Sequence, residues 1–547
     1  MHKRWFYVLW LLFIAGFALL HTLHLSADFP NHTPWTSDWA KYTDEGWYGN
    51  AAIRAHLFGN WYIAGDFTPA PALPVLPFLE WLLFFITGVS VEAARGLAVA
   101  FFFINLLLSY LLLRARGPRW MALLGVTLLV TSPFLYCFSR LAILEPVQIA
   151  FTLAAFNLAV RLPRLRRPVA ASAVIGVLFS LMLLTKTTAA FLLPAVGWAM
   201  IASLCQGRYW LRPCTPQRMR ATTVRCIAAA TGAFLASYTL WVALVFRLGL
   251  FPDYKYFFLV NYYPKPKEFY WPLVSLWWSF HGGLWMDHIL IPLAGIVLLS
   301  AASVFCWRFF RRNHDWMCGA GLAQLVFLPE FGGSLLAVAG AILFMTLQNR
   351  AQPRYFAPSA FFCIFIVVLG AAALPEESSG SWSRRLAPGF LALIALTATF
   401  NAWQTWCYAT HPEYTYLEAA RRLTQFIDAH PNGNRLLLSI SGDQITLFTH
   451  LPSLCDDFSM QDLEAKTVRY RPGWYAAWND LDPGTLSDLH QHFSLEQVAS
   501  FRALDDSDRN LLVLFKLHPL PDGHTRGPEQ QNLQILLPDD KVQIEVQ

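Results

Sequence analysis

The chain has 547 residues, 56% of them hydrophobic and 14% charged, with a formal net charge of +6. Soluble domains carry about 25% charged residues, so this balance excludes an ordinary soluble enzyme. The modest positive charge, gathered as arginine in particular loops, also speaks against a nucleic-acid binder.

The first element is an apolar run from Trp5 that continues to Leu25, behind His2-Lys3-Arg4. It lacks a small-x-small cleavage site and reads as an uncleaved first span instead of a signal peptide. Further blocks long enough to cross about 30 Å of hydrocarbon lie at 94–113, 120–138, 144–160, 169–185, 187–204, 223–246, 289–307, 333–347, 355–374 and 386–406. Two blocks are interrupted. Residues 71–88 carry Pro71, Pro74, Pro77 and Glu80, and residues 316–331 end in Pro329-Glu330. The 22 tryptophans and 19 tyrosines suit a chain with two water–lipid interfaces. The nine cysteines form no CxxC pair, and most, such as Cys137, Cys226, Cys306 and Cys363, sit in apolar runs as small hydrophobes.

Arginine gives the spans a direction. If 71–88 does not cross, one side collects Arg114, Arg116 and Arg119, the group Arg161 to Arg167, the group Arg208 to Arg225, Arg308 to Arg312, and Arg384-Arg385. If it does cross, the clusters that follow turn outward. The first reading is adopted, and treating 316–331 as interfacial gives about eleven spans by the same rule. The outer face then holds the loop 25–93, the turns at 139–145 and Lys186, the loop 247–288, the loop 348–354 and everything after about residue 407. The expected location is the inner membrane, multi-pass, with that face toward the periplasm or exterior.

From 411 to 547 the character changes. Short apolar strands such as 436–440 and 511–515 alternate with helical stretches, one at 414–429 with Leu417, Ala420, Leu423 and Ile427 on one face. A small extracytoplasmic α/β domain is predicted behind the membrane domain 1–406, without a nucleotide fingerprint.

Several ionisable residues fall on the outer face, where charge at membrane depth usually has a task. Asp44 and Glu45 are adjacent, Arg140 and Glu145 flank a junction between spans, and Lys186 stands between two apolar helices. Each has a plainer explanation alone: a solvated acidic pair, a helix end anchored at headgroups, a lysine reaching the interface. Glu145-Pro146 also suits a helix start. Their collection on one face is the stronger signal.

In this order the residues resemble the GT-C fold of polyprenyl-phosphate-sugar glycosyltransferases, in particular the dolichyl-phosphate-mannose protein mannosyltransferases and the aminoarabinose–lipid A transferases. The resemblance rests on Asp44-Glu45-x-x-Tyr48, the proline-rich segment leading to Gly88 and Arg95, Ser139-Arg140 ahead of Glu145-Pro146, Thr185-Lys186 before an apolar helix, and Arg354-Tyr355 entering a span. It covers about residues 1–406. Two positions depart from it. Glu145 stands where these relatives often have Asp, and the lipid A transferases' lysine after the first-loop helices is replaced by Thr68-Pro69-Ala70-Pro71.

The resemblance implies inverting transfer of a hexosyl or pentosyl group from a polyprenyl-phosphate donor to an acceptor hydroxyl on protein, lipid A or glycan. Asp44 would be the general base and Glu45 its catalytic partner. Tyr48, Arg140, Glu145, Lys186, Arg354 and Tyr355 would bind donor phosphate or substrate, with Lys265 in the basic loop 262–267. A divalent cation is the implied cofactor, held by Asp44 and Glu145 as hard oxygen ligands. Membrane lipid is a further partner, and nucleic acid is not. A transporter or flippase of lipid-linked saccharides is the alternative, although the acids lie at span ends and no repeat pairs broken helices. A polymerase or ligase using His281 and His288 is a third reading.

Overall fold

The computed structural model describes residues 2–29, 44–205, 216–260, 290–310, 325, 328–347, 353–373, 381–456, 463–479, 481, 483–504 and 510–520. Lys265, His281 and His288 lie outside them.

The protein is a polytopic helical membrane protein with a small C-terminal α/β domain. Each of the eleven apolar blocks is helical. In chain order the helices are α1 (His2–Leu20), α2 (Glu45–Phe58), α3 (Val75–Thr87), α4 (Val91–Arg116), α5 (Arg119–Thr131), α6 (Pro133–Ser139), α7 (Glu145–Arg161), α8 (Pro168–Thr185), α9 (Leu193–Cys205) and α10 (Pro216–Arg247). Then come α11 (Phe251–Val260), α12 (Leu290–Phe310), α13 (Pro329–Leu347), α14 (Ala357–Ala373) and α15 (Ser381–Thr410). Among the described residues, seven helices are long and apolar enough to cross a membrane, or eight if the bent pair α5–α6 is one span. That pair turns by 67° where Ser132 interrupts the helix. The Ser132 hydroxyl caps Leu135 N at 3.1 Å, and Pro133 opens the next turn without needing a partner for a missing N–H.

α3 is the proline-rich block expected not to cross. Its 13 residues reach about 20 Å, short of a bilayer core. Phe78, Leu82, Phe85 and Ile86 are exposed while Leu76, Glu80 and Phe84 are buried, the one-sided pattern of a helix lying on an interface. Gly88 ends it at φ +70°, a conformation that favours glycine, and Ser90 then caps α4 through Ala93 N at 3.1 Å. One boundary differs from the sequence reading. Pro329-Glu330 do not close the block before them; they open α13, because Pro suits the first helical turn and an acid there meets the helix dipole. Glu330 lies within electrostatic reach of Arg116, Arg161 and Arg164, so the loops after α4 and α7 gather at the same end of the bundle as the start of α13.

The C-terminal domain opens with α16 (Thr415–Ala429) and continues through β1 (Leu437–Leu438), α17 (Gly442–Thr449), β2 (Ser453–Leu454), α18 (Leu463–Tyr470), β3 (Trp474–Trp478), α19 (Pro483–His492), β4 (Phe493–Arg502) and β5 (Leu511–Pro519). The sheet order is β2-β1-β3-β5-β4, parallel among the first three and antiparallel across β3-β5-β4, with Ala476 opposite Leu514. Both faces are covered. Trp474, Ala476 and Trp478 pack with Tyr416, Leu423 and Ile427 of α16, while the alternate residues Tyr475 and Ala477 pack with Leu489 and with Ile63 of the first loop. This two-residue alternation with apolar groups on both faces explains why the strands read as continuous hydrophobic runs. The face of α16 read from the sequence is the buried one, since Leu417, Ala420, Leu423 and Ile427 are all in the interior.

Candidate active site

The site is assembled at helix ends. α2 starts directly after Asp44, which stands at its N-cap position but makes no side-chain capping bond. The Asp44 carboxylate instead accepts from Arg354 Nη2 at 2.7 Å, and its side chain keeps 35% of its surface exposed. Arg354 comes from the short 3-10 turn Pro353–Phe356 that feeds α14. Its guanidinium lies 5.5 Å from the centre of the Tyr355 ring and 6.0 Å from that of Tyr48. The Arg354 Nε is buried with no hydrogen-bond partner.

Glu145 is the first residue of α7, as the following proline requires. It is bonded to Lys186, whose ammonium sits 4.4 Å over the Tyr355 ring. Lys186 takes an extended backbone at the end of α8, which turns its side chain out of the helix. The second oxygen of Glu145 is buried without a partner. Tyr355 thus has two cations beside its ring, Lys186 paired to Glu145 and Arg354 paired to Asp44. An unpaired N–H of Arg354 and an unpaired oxygen of Glu145 in this cluster are groups that a bound substrate can satisfy. Burial pushes the Tyr48 hydroxyl well above its ordinary range.

Glu45 faces different partners. Arg95 of α4 grips it with two bonds of 2.7 Å, Ala142 N donates at 2.8 Å, and Gln444 of α17 donates at 3.3 Å. The same Arg95 reaches the carbonyls of Leu25 and Ala27. Arg140 is likewise engaged elsewhere: it bonds the Tyr136 hydroxyl and the carbonyls of Leu23 and His24 just past α1. Of the expected residues, then, Asp44, Tyr48, Glu145, Lys186, Arg354 and Tyr355 form one cluster. Glu45 and Arg140 tie neighbouring elements together beside it.

Asp44 and Glu145, expected to share a divalent cation, are each bonded to a cationic side chain. Among the described residues no group of three or more His, Cys, Asp or Glu side chains is placed to hold a metal. A dication between Arg354 and Lys186 would meet like charge, so the side chains as placed do not fit one.

Beneath α2 lies a second polar layer that sequence reasoning missed. Arg54 bonds both Asp66 at 2.7 Å and Asp443 at 2.9 Å, Lys466 reaches Asp66 at 3.2 Å, and Asn50 bonds Asp443 at 3.2 Å. All five side chains are buried. Against Gly49 of α2, Glu80 is buried with neither oxygen bonded. Only Asn50 and Arg54, polar four residues apart on an otherwise apolar stretch, hinted at this layer.

A family described as dolichyl-phosphate-mannose-protein mannosyltransferase matches residues 69–229, from the segment before α3 into α10. No curated protein matches the chain. Among solved structures, the apo form of ArnT from Cupriavidus metallidurans is similar at a TM-score of 0.57 and 13% identity, covering 92% of this chain and 97% of that one. The same enzyme bound to undecaprenyl phosphate is similar at a TM-score of 0.56 and 13% identity, covering 92% of this chain and 98% of that one. The chain therefore has the GT-C fold expected from the order of its motifs, membrane body and C-terminal domain together, and the family match lies within its membrane body.

Proposed function

We propose that the protein is a membrane glycosyltransferase that moves a sugar from a polyprenyl-phosphate carrier to an acceptor hydroxyl on the extracytoplasmic side. The observation that carries this reading is the cluster of Asp44, Glu145, Lys186, Arg354 and Tyr355, which are drawn from positions 44 to 355 of the sequence and meet at helix ends. The undecaprenyl phosphate bound by ArnT supports a lipid phosphate as the donor's carrier, and the match over residues 69–229 supports glycosyl transfer.

In this reaction the acceptor O–H gives its proton to Asp44 as its oxygen attacks the anomeric carbon. The bond from that carbon to the phosphate oxygen breaks with inversion, and its electron pair leaves on the phosphate. The donor is a phosphodiester carrying one negative charge, and the departing polyprenyl phosphate carries two. Arg354 and Lys186 stabilise that growing charge, an effect that acts mainly in the transition state. Arg354 also bonds Asp44, so its turn toward an incoming phosphate frees the base when donor is present. Glu145 orients Lys186. The exposed apolar face of α3, with Phe78, Leu82, Phe85 and Ile86, suits contact with lipid chains.

The acceptor class includes protein hydroxyls, lipid A and glycans. Purified protein in detergent or nanodiscs, given polyprenyl-phosphate donors bearing labelled hexose or pentose together with each acceptor class, is expected to yield labelled product. Conversion of none of these, with the folded protein confirmed, overturns the assignment.

A further inference from the structure

We infer that Gln444, in the C-terminal domain, is a positioning residue that keeps Asp44 available as a base. This rests on the proposed function of the same site. A residue at the N-cap of a helix ordinarily turns its side chain back to accept from the second or third backbone N–H of the first turn, which otherwise lacks a partner. Asp44 occupies that position on α2 and is among the residue types that cap best, yet it makes no such bond. The N–H groups it would take are those of Gly46 and Trp47, and the first of them is already bonded, at 2.9 Å, by Gln444 Oε1. The other end of the same amide donates to Glu45 at 3.3 Å. One side chain from α17 thus caps α2 in place of Asp44 and leaves the Asp44 carboxylate for Arg354.

The surrounding contacts fit that role. A Cβ at Gly46 would collide with the backbone of Asp443, so only glycine lets α17 approach closely enough for the bond. Asp443 then locks the approach through Asn50 at 3.2 Å and Arg54 at 2.9 Å, one and two turns further along α2. The C-terminal domain is on this account part of the active site, and not an appendage beside it.

Removing the acceptor returns Asp44 to ordinary capping and withdraws it from the reaction. Gln444→Met keeps the length and loses the bond. Its kcat is expected to fall about fivefold, the size of a typical capping preference, with donor KM unchanged. A structure of the Gln444→Met protein is expected to show the Asp44 carboxylate turned toward the Gly46 or Trp47 N–H. An unaltered kcat in Gln444→Met, a loss confined to KM or Tm, or an Asp44 still on Arg354 in that structure overturns the inference. Wild-type protein without any transfer activity would instead overturn the function on which it rests.

Discussion

Arg95→Met is the substitution whose effect on stability the structure sizes most clearly. The Glu45 and Arg95 side chains keep only 3% and 7% of their surface, and two bonds of 2.7 Å join them. Removing the arginine leaves a buried carboxylate with two weaker donors, Ala142 N and Gln444 Nε2. Breaking a pair of this kind by deleting one partner costs about 3–5 kcal/mol. The loss also frees the carbonyls of Leu25 and Ala27 that Arg95 bonds. Arg435 and Asp428 provide the control. They are joined at 2.6 Å but each is 48% exposed, where solvent screening leaves about 0–1 kcal/mol. Thermal unfolding in detergent, followed by tryptophan fluorescence, should rank Arg95→Met far below Arg435→Met. The double variant Arg95→Met/Glu45→Gln, which removes the stranded charge, should recover part of the loss. Equal losses for Arg95→Met and Arg435→Met would refute the reasoning that this pair anchors the start of α2.

Glu80 gives a pH-dependent outcome. Burial, and secondly the charge of Glu45, hold its carboxyl well above the ordinary 4.5, so the folded protein keeps a proton that the unfolded chain releases. The stability from that proton is whole below about 4.5 and declines as pH rises toward the folded value. Glu80→Gln, neutral throughout, should therefore raise Tm above pH 7 and flatten its decline, and a parallel Tm–pH curve would count against a buried neutral acid. Lys186→Met and Arg354→Met each remove one charged phosphate contact and should weaken polyprenyl phosphate binding about tenfold to a hundredfold, read by titration in nanodiscs; unaltered affinity in both would move the phosphate elsewhere. Asp44→Asn should retain donor binding and lose transfer by roughly a hundredfold or more, and full activity would remove Asp44 from the role of base.

Much of the architecture was legible because it is written in local pattern. Apolar runs gave the eleven helical blocks, the prolines and Glu80 set the block of α3 apart from the other apolar runs, and the spacing of Leu417, Ala420, Leu423 and Ile427 gave the buried face of α16. Glu145-Pro146 announced the start of α7 through local chemistry alone. What stayed hidden were pairings made by tertiary contact. Nothing near Glu45 foretells Arg95, although Arg95 sat in a recognised motif. Nothing near Arg54 or Gly46 foretells Asp443 and Gln444 almost four hundred residues later. Periodicity reports which face of an element is apolar, but it does not say which buried polar group will meet which. Arg140 shows the same limit: nothing in its neighbourhood foretells its bonds to the Tyr136 hydroxyl and to the carbonyls after α1.

The central claim is that a lipid phosphate is held between Arg354 and Lys186, beside Asp44. An experimental structure of the protein with polyprenyl phosphate in nanodiscs tests it most directly. The account predicts phosphate oxygens within hydrogen-bond distance of Arg354 and Lys186, Arg354 turned away from Asp44, and the Asp44 carboxylate free to face an acceptor. A phosphate bound away from both cations, with the pair of Arg354 and Asp44 intact, would contradict it.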